Sequence, residues 1–259
     1  MNFISKPETV GIVAAGFNGG QPRGGVELGP GRMIEAGLLS QIEALGYKVS
    51  LDDKIPLTYE RLMPAVPSEV DLFKTTAVPP PLKNTRYVGA VCKDVMEHVK
   101  KTCEAGQIAL TLGGDHSLAM GTISGSLAVY PNVGIIWVDA HADINTPETT
   151  TSGNLHGMPL SFLTGIASHP QFEWIQKKLD FSRICYIGLR DVDPGEKLIL
   201  KKYNIRAYSM HEVDRYGIGK VMDMALDYLG RDTPLHLTFD VDALDPSVAP
   251  ATGILADDI

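Results

Sequence analysis

The chain has 259 residues, a formal net charge of −8, 44% hydrophobic and 21% charged residues. That is enough length to bury a sizeable core in one α/β domain, and the whole of residues 1–259 is expected to form one. The acidic balance, without a long basic run, argues against a nucleic-acid surface. No apolar stretch approaches the roughly 20 residues that cross a bilayer, and Met1–Val10 lacks the pattern of a signal peptide, so a cytoplasmic protein with no membrane partner is expected. Cys92, Cys103 and Cys185 are odd in number and form no Cys-x-x-Cys, which predicts reduced, buried thiols.

Short apolar runs alternate with helical patterns, the signature of βαβ units around a parallel sheet. In chain order, strands are predicted near Gly11–Ala15, Tyr47–Ser50, Ile108–Leu112, Val133–Val138, Ile184–Gly188, Ile205–Tyr208 and Leu235–Asp240. Helices are predicted at Met33–Leu45, Thr85–Cys103, Leu118–Tyr130, Phe172–Leu179 and Ile218–Leu229, the last ending before a good capping residue, Gly230. Gly16–Gly31 holds seven glycines but lacks the Lys-Ser/Thr ending of a phosphate loop. Pro56–Pro81 is proline-rich and irregular, yet βαβ character resumes after it, so it is not read as a linker.

Ligands of an open parallel sheet bind beyond the carboxyl ends of its strands. There the sequence places Gly113-Gly-Asp-His-Ser117, Asp139-Ala-His-Ala-Asp143 and Asp240-Val-Asp242. Every second side chain of an extended segment shares a face, so Asp139, His141 and Asp143 can point one way, and Asp240 and Asp242 likewise. With His116 these form four carboxylates and two imidazoles in one crevice. Four buried like charges need protons or metal as compensation. Six ligands are too many for one tetrahedral ion but suit two ions with bridging carboxylates. An oxygen-rich set without thiolate disfavours structural zinc and suits manganese. Two close divalent ions lower the pKa of a bridging water, which is the requirement for hydrolysing a poor electrophile.

These three motifs resemble those of the arginases, within the ureohydrolase family. The resemblance implies a three-layer α/β/α fold with a mostly parallel central sheet, and hydrolysis of L-arginine to L-ornithine and urea in arginine metabolism. It implies two Mn2+ per subunit, held by His116, Asp139, His141, Asp143, Asp240 and Asp242, with Asp143 also helping to move a proton. The metal motifs alone would equally fit an agmatinase or a formiminoglutamase. The segment Asn145–Pro159 is more specific: it resembles the arginase substrate loop, in which Asn145, Thr150, Ser152 and Asn154 lie at or beside the positions that hold the amino-acid carboxylate. His156 matches the family's acid or proton-shuttling histidine. Gly188–Glu196 also resembles arginase, with Asp193 and Glu196 near the substrate's α-amino group, and Gly20–Val26 adds to the match. A homotrimer is implied.

The resemblance runs from about Gly11 to Gly253, and Ile254–Ile259 departs from the family's continuation. Three family features are therefore expected to be missing: the glutamate that pairs with the guanidinium, the C-terminal segment that packs subunits, and a last strand between those ending at His116 and Asp240. Two alternatives stay open: a non-catalytic, metal-binding chain that modulates longer subunits, and a metal-dependent deacylase of acylated amines, which would need a deep apolar tunnel.

Overall fold

The computed structural model describes residues 3–52, 59 and 79–250. Most of the proline-rich stretch and all of Ile254–Ile259 lie outside them. Seven parallel strands are described: β1 (Thr9–Ala15), β2 (Lys48–Leu51), β3 (Ile108–Gly113), β4 (Gly134–Val138), β5 (Ile184–Leu189), β6 (Arg206–Ser209) and β7 (Leu235–Phe239). They form two sheets, in the orders β2-β1-β3 and β6-β5-β4-β7.

Alternation along the strands builds three layers. Ile135 and Trp137 of β4, Ile184 and Tyr186 of β5, and Val13 and Ala15 of β1 share one cluster with the buried faces of α3 (Thr85–Glu104), α4 (Ala119–Val129) and α5 (Pro159–Thr164). The intervening residues point the other way. Ile136, Cys185 and Ile187 pack on Val221, Ala225 and Leu229 of α8 (Ile218–Leu229), while Val10 and Ile12 pack near α1 (Gly29–Glu35) and α2 (Leu38–Ala44). Strands covered on both faces read as continuous apolar runs, and β5 is buried throughout. The three cysteines are free and buried.

The strands, and the helices predicted at Thr85–Cys103, Leu118–Tyr130 and Ile218–Leu229, lie within one or two residues of their predicted positions, whereas the other two predicted helices needed correction. Met33–Leu45 is two short helices, because Gly37 takes a left-handed conformation (φ 91°) between them. Phe172–Leu179 is not a helix. A single 3-10 turn at Pro170–Phe172 is followed by irregular chain, and the Leu179 N–H donates to Leu163 O at the end of α5 instead of to its own preceding turn. Three helices were not anticipated: α5, α6 (Pro194–Lys202) and α7 (Met210–Tyr216).

No ladder pairs β3 with β7 among the described residues, so the central sheet is split at the position where the resemblance expects the last strand to be missing. Side chains span the division. His116 Nε2 lies 2.8 Å from Thr238 Oγ1, and His236 Nδ1 lies 2.8 Å from Ser126 Oγ on α4. The opposite face of β7 is uncovered: Leu235, Leu237 and Phe239 are exposed.

Helices α3 and α4 pack at very close range, because small residues face the contact. A Cβ at Gly121 would sit 2.3 Å from the carbonyl oxygen of Cys92. That atom is backbone and cannot turn aside, so Gly121→Ala must separate the helices. Overpacking of this kind costs roughly 1–3 kcal/mol, and roughly 2–4 °C of Tm accompanies each kcal/mol in a domain of this size. Gly121→Ala is therefore expected to lower the melting temperature by roughly 2–12 °C. An unchanged melting temperature in a scanning calorimeter would mean that the two helices are not in backbone contact.

Candidate metal centre and adjoining loop

The acids and imidazoles read from the sequence meet at the carboxyl ends of β3, β4 and β7. Two groups of three have ligand atoms close enough to share an ion: His116, Asp139 and Asp240, and Asp139, His141 and Asp242. Asp139 belongs to both and is fully buried. His116 Nδ1 lies 3.0 Å from Asp139 Oδ2, 3.0 Å from Asp143 Oδ2 and 3.2 Å from Asp240 Oδ2. His141 Nδ1 lies 3.2 Å from Asp242 Oδ2 and 3.4 Å from Asp139 Oδ1. All six expected ligands are thus brought together, with Asp143 beside the first group although in neither triad.

Electrostatics explain what such a cluster demands. Burial opposes charge on His116, but contact with Asp139, Asp143 and Asp240 outweighs it and holds the imidazole pKa well above its ordinary value. His141 follows the same logic, burial being outweighed by Asp139 and Asp242, and rises to about 11. Burial and then the charge of Asp139 push the Asp143 carboxyl well above the usual carboxylate range. Asp242 is raised by burial despite its contact with His141. Asp139 goes the other way. Burial favours its neutral form, yet hydrogen bonds from His116 and His141 keep it ionised. Without a metal, then, the cluster retains protons to offset its carboxylates, and divalent ions would displace those protons. The donors fit that purpose. Asp242 Oδ1 is buried without a hydrogen-bond partner, and the buried His116 Nδ1 is surrounded by three carboxylates.

Side-chain and backbone contacts fix these residues. Trp137, two residues before Asp139 and on the same face, donates its indole N–H to Asp139 Oδ2 at 2.9 Å. The Asp139 N–H donates to Ile187 O, and Arg190 and Asp191 N–H both donate to Ala140 O, so the end of β5 anchors the motif. Gly188, at φ 100°, supplies the irregularity that lets β5 turn across it. The Arg190 guanidinium donates to the carbonyl oxygens of Asp242, Ala243 and Leu244, and so clamps the last ligand loop.

His156 is reached from another direction. Its N–H donates to Gly20 O, and its Nδ1 lies 2.9 Å from the same oxygen. Asp115 accepts the Gly20 N–H at 2.8 Å together with the N–H and hydroxyl of Ser117. Burial lowers the His156 pKa below its ordinary value despite the bond to Gly20, so the ring is neutral. With Nδ1–H donating to Gly20, the free lone pair is on Nε2, which is buried and has no partner.

The loop after Asp143 is internally bonded. Asn145 donates its amide N–H to Asp193 Oδ2 and accepts from the Thr149 hydroxyl, each at 2.8 Å. Thr150 Oγ1 accepts the Gly153 N–H at 2.9 Å, and Ser152 Oγ accepts the Asn154 N–H at 3.2 Å. Asp193 caps α6, and Glu196, three residues on, is 2% exposed. Its Oε1 accepts the Ile144 N–H at 3.0 Å, and its Oε2 accepts the Asp193 N–H at 3.1 Å. Burial pushes the Glu196 carboxyl up to about 7. Sequence reasoning missed Trp137, Arg190, Asp115 and Thr238, all of which hold ligands or His156 in place.

A strand-ended cluster of this kind, with two candidate ion positions sharing a carboxylate, has the make-up of a two-metal centre in a parallel α/β protein. The chain belongs to the arginase family, whose model matches residues 8–257 and so extends past Gly253. It is 52% identical over 262 residues to an arginase of Neurospora crassa, covering 97% of this chain and 70% of that one. The crystal structure of a cold-adapted arginase from the yeast Glaciozyma antarctica superposes with a TM-score of 0.76 at 46% identity, covering 95% of this chain and 79% of that one. The native arginase structure from Bacillus caldovelox gives 0.80 at 37% identity, with the same coverage. No described helix is long and apolar enough to cross a membrane.

If Asp139 serves both ion positions, its loss should cost more than that of a ligand to one. We expect Asp139→Asn to weaken both Mn2+ binding events, and His116→Asn to weaken one while leaving the other within a few-fold. Titration calorimetry of metal-stripped protein reads this directly. Equal loss in the two variants would remove Asp139 from its shared position.

Proposed function

We propose that this chain hydrolyses L-arginine to L-ornithine and urea with two Mn2+ ions. The observation that carries the reading is the pair of three-ligand groups joined through Asp139, in a chain about half identical to arginases over nearly its whole length. His116, Asp139 and Asp240 would hold one ion and Asp139, His141 and Asp242 the other, with Asp143 completing the set. When bound, the ions supply an activated water at neutral pH and positive charge to stabilise the tetrahedral species. Manganese suits the oxygen-rich, thiolate-free donors.

The chain's own residues then bind the substrate and move protons. Asp143, whose Oδ2 lies 3.0 Å from His116 Nδ1, would be a carboxylate once ions displace its proton, and as such takes a proton from the attacking water and delivers it to the departing amine. His156 keeps its Nδ1–H on Gly20 and presents the Nε2 lone pair, which suits it to carry protons between the site and solvent. Asn145, Thr150, Ser152 and Asn154 form a polar wall for the α-carboxylate, and Asp193 offers its charge to the α-amino group. That polar wall also disfavours the apolar tunnel a deacylase requires. The activity belongs to arginine catabolism in the cytoplasm, in a trimeric assembly like that implied by the sequence resemblance.

The test is urea release from L-arginine by the metal-stripped protein before and after Mn2+ is restored. Activity should return with manganese and fall again on chelation. No turnover at saturating Mn2+ would favour the alternative of a non-catalytic, metal-binding chain. Charge-assisted hydrogen bonds contribute roughly 1.5–3 kcal/mol each, and about 1.4 kcal/mol corresponds to a factor of ten. Agmatine, which lacks the carboxylate, should therefore have a kcat/KM at least about tenfold below that of arginine. Equal use of the two would show that the Asn145–Asn154 loop does not read a carboxylate.

A further inference from the structure

Asp143 is one of three non-glycine residues with positive φ among those described (49°), the others being Asn84 and Asn204. Asparagine and aspartate tolerate this region better than most residues, but it is unfavourable for both and must be held from outside. The two peptide units around Asp143 show how. Its carbonyl accepts the Leu160 N–H at 3.1 Å. The next amide, Ile144 N–H, donates to Glu196 Oε1 at 3.0 Å, and the other oxygen of Glu196 is occupied by the Asp193 N–H at 3.1 Å. Ile144 is fully buried and Glu196 nearly so, so no water competes for these bonds. The resemblance assigns Glu196 to the α-amino group of the substrate, yet in this arrangement each of its oxygens accepts from a backbone amide.

We infer that Glu196 is a positioning residue: its carboxylate fixes the left-handed turn at Asp143 that aims this acid into the metal cluster. Through its second oxygen it also sets the Asp193 amide, and Asp193 is bonded to Asn145. One buried carboxylate thereby joins the metal centre to the loop proposed to bind the substrate. The inference rests on the arginine reading only for its kinetic consequences, not for its effect on metal.

The experiment uses Glu196→Gln, which keeps size and shape but leaves a single acceptor oxygen facing two amides. Mn2+ titration of the metal-stripped full chain should show affinity reduced by about 10–100-fold, the usual consequence of removing an outer partner of a metal ligand. Thermal unfolding of the metal-free variant verifies that it folds. If Glu196→Gln does not fold, Glu196→Asp, which is one methylene too short to reach both amides, replaces it in the same titration. Unchanged Mn2+ affinity in a folded variant overturns the inference, as does a drop in stability alone. Kinetics give a second reading. Positioning predicts an equal fall in kcat for arginine and for 5-guanidinopentanoate, which lacks the α-amino group. A rise in KM confined to arginine would instead return Glu196 to contact with the amino group. A chain that hydrolyses neither compound would sink the functional reading while the Mn2+ titration still decides the role of Glu196.

Discussion

Four carboxylates and two imidazoles lie within a few ångströms of one another at one end of the strands, and most of the fold around them serves to make that arrangement tolerable. Buried like charges cannot all be ionised without compensation. The structure offers two kinds of relief. Protons collect on Asp143, Asp242 and the two histidines, whose pKa values are raised. Fixed donors also surround the acid that stays ionised: the Trp137 indole and the His141 N–H both point at Asp139. Metal binding substitutes concentrated positive charge for the protons and leaves the fixed donors in place. Preorganisation of that kind suits a centre that must exchange protons with a substrate and a water near neutral pH.

The scaffold achieves this with backbone groups more than with side-chain charge. Ile187, Arg190 and Asp191 hold the Asp139–Ala140 backbone through main-chain bonds, and Gly20 links Asp115 to His156. Arg190 is the exception that proves informative. Its guanidinium satisfies three carbonyls of the Asp242–Leu244 turn instead of neutralising a ligand carboxylate, and so fixes a ligand without competing with metal for it. The Asn145–Asn154 loop is likewise built from neutral amides and hydroxyls bonded to one another, a low-cost way to keep a polar surface ordered.

How much of this was legible in the sequence depends on the kind of residue. The strands were readable because burial on both faces demands continuous apolar runs, as in β4 and β5. The acids and imidazoles that meet in the cluster were readable as a group because such residues immediately after apolar runs have no reason to be strand residues. Period-based helix assignment failed at Phe172–Leu179, where Phe172, Ile175 and Leu179 are buried at helical spacing yet the backbone makes isolated turns and the Leu179 N–H goes to α5. Helix α6 was legible in principle, since Asp193-Pro-Gly-Glu196 spells a capping box with proline at the first position. The resemblance drew attention to these same residues as substrate contacts, and the local signal went unread. Positioning residues such as Arg190 and Asp115 act across roughly fifty to a hundred residues of sequence, and no local pattern announces a partner at that separation.

The division of the sheet gives the metal centre a structural part as well as a chemical one. β3 and β7 share no ladder among the described residues, yet His116 follows β3 while Asp139, Asp143, Asp240 and Asp242 follow strands of the other sheet. The cluster is thus a junction between the two sheets, supported by His116–Thr238 and Ser126–His236 contacts beneath it. A ligand that binds only the folded state stabilises it by RT ln(1 + [L]/Kd), about 2.7 kcal/mol at a hundred times Kd. Ions bound between His116 and the carboxylates would place that stabilisation where main-chain pairing is absent. Folding and metal loading are then coupled in the same residues. The carboxylates that make the apo centre electrostatically expensive are those that, once loaded, tie the first sheet to the second.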